Sequence, residues 1–207
     1  MSRTKQKAET RDRILKAAGR EFRKSGYSGA GVDSLAKEAG VTSGAFYVHF
    51  ESKAVAFRES VIQGMAELKE GVTHYQTEFG RDWWPEFVRF YLGEKRKCDL
   101  SESCASQSLA AEVARSDGES REAFESELMN VAAIIAAGPK SIDAPTNVDA
   151  AWAALATLIG GVTLARAVND PKMAGRIAEA TERILLPHHT KIDAPGKTIP
   201  HHRRKGT

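Results

Sequence analysis

Cysteine is scarce in this chain. Cys98 and Cys104 are its two thiols in 207 residues. Two are too few for a disulfide framework, and a reducing cytoplasm is the expected setting. Alternating apolar and polar runs bounded by turn residues are missing, which argues against a β-sheet protein. No uninterrupted apolar run reaches the roughly 18 residues of a membrane span, so no membrane partner is expected. The basic, polar stretch Ser2–Arg13 has no apolar block behind it and does not read as a secretory signal. Also missing are a nucleophile elbow, a phosphate-binding glycine loop and any metal-ligand spacing. The pairs His188-His189 and His201-His202 stand in a polar tail without clustered acids. No enzyme, no metal site and no cofactor are therefore expected.

What is present is an uneven charge distribution. The formal net charge is +3. Residues 1–60 hold 12 Lys/Arg against 7 Asp/Glu, residues 61–186 hold 13 against 19, and residues 187–207 hold 5 against 1. A positive segment followed by a negative one suits a chain that turns only its first part toward phosphates, although a solvated surface would give the same count.

Nearly everything else reads as helix. Ile14, Ala18 and Phe22 recur every four residues and predict a helix over Thr10–Ser25, with Gly26 at its C-terminal cap. A small-residue loop, Ser28–Gly31, precedes a short helix over Val32–Ala39. Gly40 turns the chain, and Thr42 can cap a third helix whose Phe46 and Phe50 face inward. Ser52 caps a long helix, Lys53–Phe79, broken by Gly80-Arg81-Asp82. Trp83–Leu92 is an aromatic-rich helix with Pro85 in its first turn, and Lys95–Ser103 is a polar connection. Helices follow over Cys104–Ser116, Ser120–Ala137, Val148–Asn169 and Pro171–Leu186, with a loop at Gly138–Thr146.

Three stretches together carry a recognisable pattern. They are Ile14-Leu15-Lys16-Ala17-Ala18 with Phe22, Gly26 and Tyr27; Val32-Asp33-Ser34-Leu35-Ala36-Lys37-Glu38-Ala39-Gly40-Val41; and Gly44-Ala45-Phe46-Tyr47-Val48-His49-Phe50 with Ser52-Lys53. In order and spacing they resemble the helix-turn-helix of the TetR/AcrR family of bacterial regulators. The resemblance implies an all-α fold of about nine helices. Residues 1–51 would form a three-helix DNA-binding domain and 52–187 a larger helical domain for effector binding and dimerisation. Residues 188–207 are expected to be a disordered basic tail.

The resemblance also places the third helix in the major groove. Thr42, Ser43, Gly44 and Ala45 would lie near base edges, and Tyr47, His49 and Lys53 near phosphates. The near-base residues are small. A hydroxyl can donate or accept, but no Arg or Asn is available for a bidentate base contact, so specificity from this helix should be modest or shape-assisted. Thr42 can also serve only as a cap. Where many relatives carry Ser or Thr at the start of the second helix, this chain has Gly31, whose backbone N–H is left to meet a phosphate. Arg3, Lys5, Lys7 and Arg11 read either as an arm toward neighbouring phosphates or the minor groove, or as a solvated tail.

The body carries an aromatic cluster of Trp83, Trp84, Phe87, Phe90 and Tyr91, which Phe124 and Trp152 can join. Ser108 and Glu112 are weaker polar candidates. These residues read either as core or as the walls of an effector pocket. Ala150–Ala167 is apolar on more than one face, with Gly160 and Gly161 permitting close approach, as in a dimer interface or a central core helix. The expected function is a cytoplasmic, homodimeric repressor of a palindromic operator in double-stranded DNA, released by a small apolar or aromatic effector. Two alternatives stand: a DNA-binding regulator or architectural protein without such an effector, and a thiol sensor through Cys98 and Cys104, beside Lys95, Arg96 and Lys97.

Overall fold

The computed structural model describes residues 3–188. The tail expected to be disordered, and the histidine pairs in it, lie outside the described residues apart from His188. Within them the chain is helical, with no strand.

α1 (Arg3–Gly29) buries Ile14, Ala17, Ala18 and Phe22. It begins at Arg3 rather than Thr10. Lys5, Gln6, Lys7, Ala8 and Glu9 are good helix formers, so the helix runs on past the apolar stripe that predicted it. Gly26 kinks it at φ 71°, a left-handed conformation that glycine adopts without steric cost. One further turn, to Gly29, stands where a loop was expected. α2 (Val32–Glu38) and α3 (Ser43–His49) follow, joined at Gly40 with φ 64°.

α4 (Lys53–Phe79) is capped by the Ser52 hydroxyl, which accepts from Val55 N at 3.2 Å. It passes from the head of the molecule into the body. A 3-10 turn at Gly80–Asp82 leads into α5 (Trp83–Phe90). The expected polar connection after α5 begins instead as more helix: a π-helical turn over Tyr91–Lys95 carries the chain on to Lys97. A 3-10 turn, Leu100–Glu102, then leads to α6 (Ala105–Ala114) and α7 (Gly118–Ala136). α8 (Val148–Ala167) and α9 (Pro171–Leu185) start at side-chain caps from Asn147 and Asp170.

One core runs through both parts. In the head, Ile14, Phe22, Leu35, Phe46 and Phe50 are fully enclosed, and the lid over them is Phe57 of α4. Its ring meets Phe22 edge-on at 5.2 Å and Tyr27 at 5.0 Å. In the body α4 packs along α7, and α8 packs against α9. Two helix crossings are tight. A methyl group at Gly64 would stand 2.4 Å from the Ala105 Cβ, and one at Gly161 2.4 Å from the Thr181 hydroxyl oxygen.

α8 corrects the expectation about apolar runs. It has 20 residues and a mean hydropathy of 1.6 over its most apolar stretch, enough by length and composition to cross a membrane. Thr157 and Thr163 interrupt the apolar run without lowering its mean much. Enclosure accounts for part of this composition, with 39% of that stretch buried. Ala151, Ala154, Leu155, Leu158, Val162 and Ala165 are buried, in a helix that packs on both α7 and α9. Its remaining face presents Trp152, Ala156 and Leu164 to solvent.

Candidate functional site

The N-terminal end of α3 is an exposed ledge held from below. Thr42 and Gly44 are exposed and Ser43 and Ala45 half-buried, while Phe46 beneath them is fully buried. Thr42 does cap the helix, accepting from Ala45 N at 3.1 Å. The Ser43 hydroxyl donates to Asp33 on α2 at 2.5 Å, so its lone pairs are what it can offer a base. Tyr47 is 55% exposed, its ring edge-on to Phe46 at 5.5 Å, which orients the phenol outward. Gly31 is exposed at the N-cap of α2 with no side-chain cap bond.

Two residues are held by neighbours that the sequence did not suggest. The Lys53 ammonium donates to the Tyr27 carbonyl at 2.8 Å and sits 4.2 Å over the Tyr27 ring. An ammonium has three donors, so this tie fixes its position and leaves others for an anion. His49 is half-buried, with Nδ1 enclosed and unpartnered. Its pKa is lowered from 6.5 by burial first, then by the positive charges of Lys7 and Arg11. Those two cations belong to α1. They stand on a helix rather than on an extended arm, and Arg11 is further tied to Glu59 at 2.6 Å and lies over the Phe50 ring. Lys5 and Lys7 remain exposed. Lys7 and Arg11 of α1 thus stand close enough to His49 of α3 to act on its charge.

The body's aromatic candidates do not form a single pocket. Trp83 and Trp84 are fully buried, donating from their indole nitrogens to Pro139 O at 3.0 Å and Leu185 O at 3.4 Å. They pin α5 to the α7–α8 loop and to the end of α9, as core. Phe87, Phe90 and Tyr91 line a cavity of about 180 Å³ between α4, α5 and the start of α6. Phe124 and Trp152 line a different apolar hollow, between α6, α7 and α8. Ser108 is bonded to Ser103 and Gln107, and Glu112 to Arg115 at 3.1 Å; neither borders the cavity.

The cavity's other walls were missed. Gly64, Leu68 and Gly71 supply the α4 side, and Ser103, Cys104 and Ala105 the α6 side. The available signal was the pair of glycines seven apart on one helical face. Tyr91 is 3% exposed and its hydroxyl lacks a hydrogen-bond partner of good geometry. Burial is the main reason its pKa lies well above 10.0, with the neighbouring Cys104 thiol adding to the rise. The phenol therefore stays protonated, as a donor. Cys98 is half-exposed. Its thiol donates to Lys95 O at 3.0 Å, and Arg166 of α8 approaches its sulfur at 3.3 Å while holding the Lys95 and Cys98 carbonyls at 3.0 and 2.9 Å.

Comparison with known proteins follows the same division. Residues 14–59 match the family model described as bacterial regulatory proteins, tetR family. The transcriptional regulator AcrR of Shigella flexneri is 41% identical over 81 residues, which are 39% of this chain and 38% of that protein. An uncharacterised regulator of Bacillus subtilis, YdgC, is 43% identical over 53 residues and 27% of its own length. The chain thus matches well under half the length of these curated relatives. The fold extends further. The reduced form of Escherichia coli NemR superposes with a TM-score of 0.70 at 18% identity, over 86% of this chain and 95% of that one. A TetR regulator from Chloroflexus aurantiacus gives 0.72 at 21% identity, over 90% and 97%. The helix-turn-helix over residues 14–59 is thus that of the tetR family of bacterial regulatory proteins, and the helical body behind it shares the fold of the solved regulators.

Proposed function

We propose that this protein is a cytoplasmic, homodimeric repressor that leaves a palindromic operator when a small molecule occupies the body. Residues 1–51 would bind DNA and residues 52–187 would hold the effector and the second subunit. The observation that carries the reading is the course of α4. The same helix presents Lys53 at the head surface and Gly64, Leu68 and Gly71 at the cavity. A ligand that favours one tilt of α4 then changes the position of the head.

On the DNA, the small residues Thr42, Ser43, Gly44 and Ala45 lie near base edges. Tyr47, His49, Lys53 and the Gly31 backbone face phosphates. Two such heads, one from each subunit, would read half-sites about 34–36 Å apart. Family members bind DNA and dimerise. The solvent-facing stripe of Trp152, Ala156 and Leu164 on α8, with Met173 and Ile184 on α9, supports a dimer through these two helices.

Fluorescence anisotropy with DNA flanking the protein's own gene tests the reading. Saturable, salt-sensitive binding by the wild type and its loss in Tyr47→Ala are expected. Lys53→Gln should weaken binding to all sequences alike and reduce the salt slope by about one phosphate contact; a loss confined to one sequence would contradict the role given to it. The contact between Arg166 and the Cys98 sulfur favours a second reading, a thiol sensor. Under it, peroxide releases the DNA from wild type but not from Cys98→Ser.

A further inference from the structure

The two hydroxyls at the start of α3 are not equivalent. The Thr42 oxygen accepts from Ala45 N at 3.1 Å, which leaves its own proton to be given outward. Ser43 does the reverse. Its hydroxyl donates to Asp33 Oδ1 on α2 at 2.5 Å. A hydroxyl has one proton, and an ionised carboxylate only accepts, so chemistry fixes the direction of this bond. With its proton turned to Asp33, Ser43 has only lone pairs to offer a ligand.

That difference carries sequence information. A free hydroxyl rotates to donate or accept and so tolerates any base edge. A hydroxyl held as an acceptor does not. In the major groove guanine offers N7 and O6 and thymine offers O4, all acceptors, while adenine and cytosine carry amino groups at N6 and N4. Lone pairs repel the first set and accept from the second. The Asp33 charge sharpens the contrast, because a bond to a carboxylate polarises the oxygen that donates it. Every base pair has one amino group in this groove. What Ser43 can select is therefore which strand carries it.

Asp33 is placed for this task and is not committed to capping. The N-cap of α2 is Gly31, with no side-chain cap bond, and the hydroxyl of Ser34 turns to the Gly31 carbonyl at 2.7 Å. The hydrogen-bond partner of the Asp33 carboxylate among the described residues is Ser43. Its position in the first turn favours α2 through the helix dipole. At an edge that approaches phosphates, however, a negative charge weakens binding to every sequence.

We propose that Asp33 is a positioning residue for DNA readout. By holding the Ser43 proton it makes that hydroxyl an obligate acceptor, which selects adenine N6 or cytosine N4 on one strand at one position of each half-site. The inference rests on the reading of α3 as the helix that meets base edges, and it adds the base group that one of its residues reads.

Selection of the full-length protein against a library of random duplexes, read by sequencing, tests this. Wild type should favour A or C over G or T about tenfold at one position per half-site. Ser43→Ala and Asp33→Ala should each erase the preference at that same position and keep the others. Asp33→Ala should also bind all duplexes somewhat more tightly, a uniform change that cancels in the ratio between bases. Partial unfolding of a variant cancels in the same way. A duplex lacking only the amino group, with purine for the selected adenine or 2-pyrimidinone for the selected cytosine, should lose about tenfold with wild type and nothing with Ser43→Ala. A preference that survives Ser43→Ala overturns the proposal, since Asp33 would then read the base directly. So does one that survives Asp33→Ala, or an amino-deleted duplex that weakens both proteins alike. If wild type selects a sequence without an A-or-C position, the proposal falls and the helix-turn-helix reading stands. If wild type binds no duplex, both fall.

Discussion

Single residues divide by how far away their partners lie in sequence. Thr42, Ser52 and Asn147 were legible as caps because a cap bonds to a backbone N–H two or three residues on, and all three do so. Lys53 and His49 were legible as types but not in their surroundings. The Tyr27 carbonyl that holds Lys53 is 26 residues away, and the cations that act on His49 come from the start of α1. This matters for pH. The free-state pKa of His49 lies below 6.5, and an adjacent phosphate would raise it. Proton uptake then accompanies DNA binding, so the extra affinity is complete below the free-state value and is lost as pH rises through the bound-state value. Anisotropy titrations from pH 5.5 upward should show affinity increasing toward acid, and His49→Gln should flatten the profile. An unchanged profile would remove His49 from the interface. Stability runs the other way: the fold favours the neutral ring, so the contribution of His49 is present above pH 6.5 and lost as pH falls toward the folded value.

Helices were readable where an apolar stripe and an end signal coincided, as in α4 and α9. Two departures came from physics that periodicity does not carry. α1 outruns its stripe because its first residues are intrinsically helical, and the π turn at Tyr91–Lys95 belongs to packing rather than pattern. The cavity was illegible for the same reason, since three helices must cross before its walls meet. The α4–α6 crossing can be tested directly. Gly64→Ala places a methyl against Ala105 and should destabilise the chain by about 1–3 kcal/mol, less up to about 1 kcal/mol of improved helix propensity. Adding Ala105→Gly should recover stability relative to the single variants. Urea denaturation of the double-mutant cycle measures this, and purely additive effects would mean that the helices move apart to accommodate the methyl.

At the scale of the whole molecule, composition was enough for the all-helical class, and the head motif was enough for its match to the tetR family model over residues 14–59. The uncovered face of α8 and α9 was not predictable in detail, yet its consequence is. Leu164 is 61% exposed and Ile184 72%, each on a helix that buries another stripe in the core. Leu164→Glu and Ile184→Glu should each shift the protein toward monomer in analytical ultracentrifugation while leaving helix content unchanged by circular dichroism. Operator affinity should fall with them, since a single head reads one half-site. A dimer that persists in both variants would place the subunit interface elsewhere.

The Phe57 ring over Phe22 and Tyr27 bears on how this protein can be recombined with its relatives. A head cut at residue 51 leaves behind the ring that closes its core, so grafting it onto a foreign body exposes Phe22 and Tyr27 unless the new α4 brings an equivalent aromatic. The natural unit of exchange ends beyond Phe57, inside α4 rather than before it. A chimaera joined after Val61 should keep a cooperative unfolding transition, whereas one joined at residue 51 to a body lacking an aromatic at that position should bind the hydrophobic dye ANS and melt broadly.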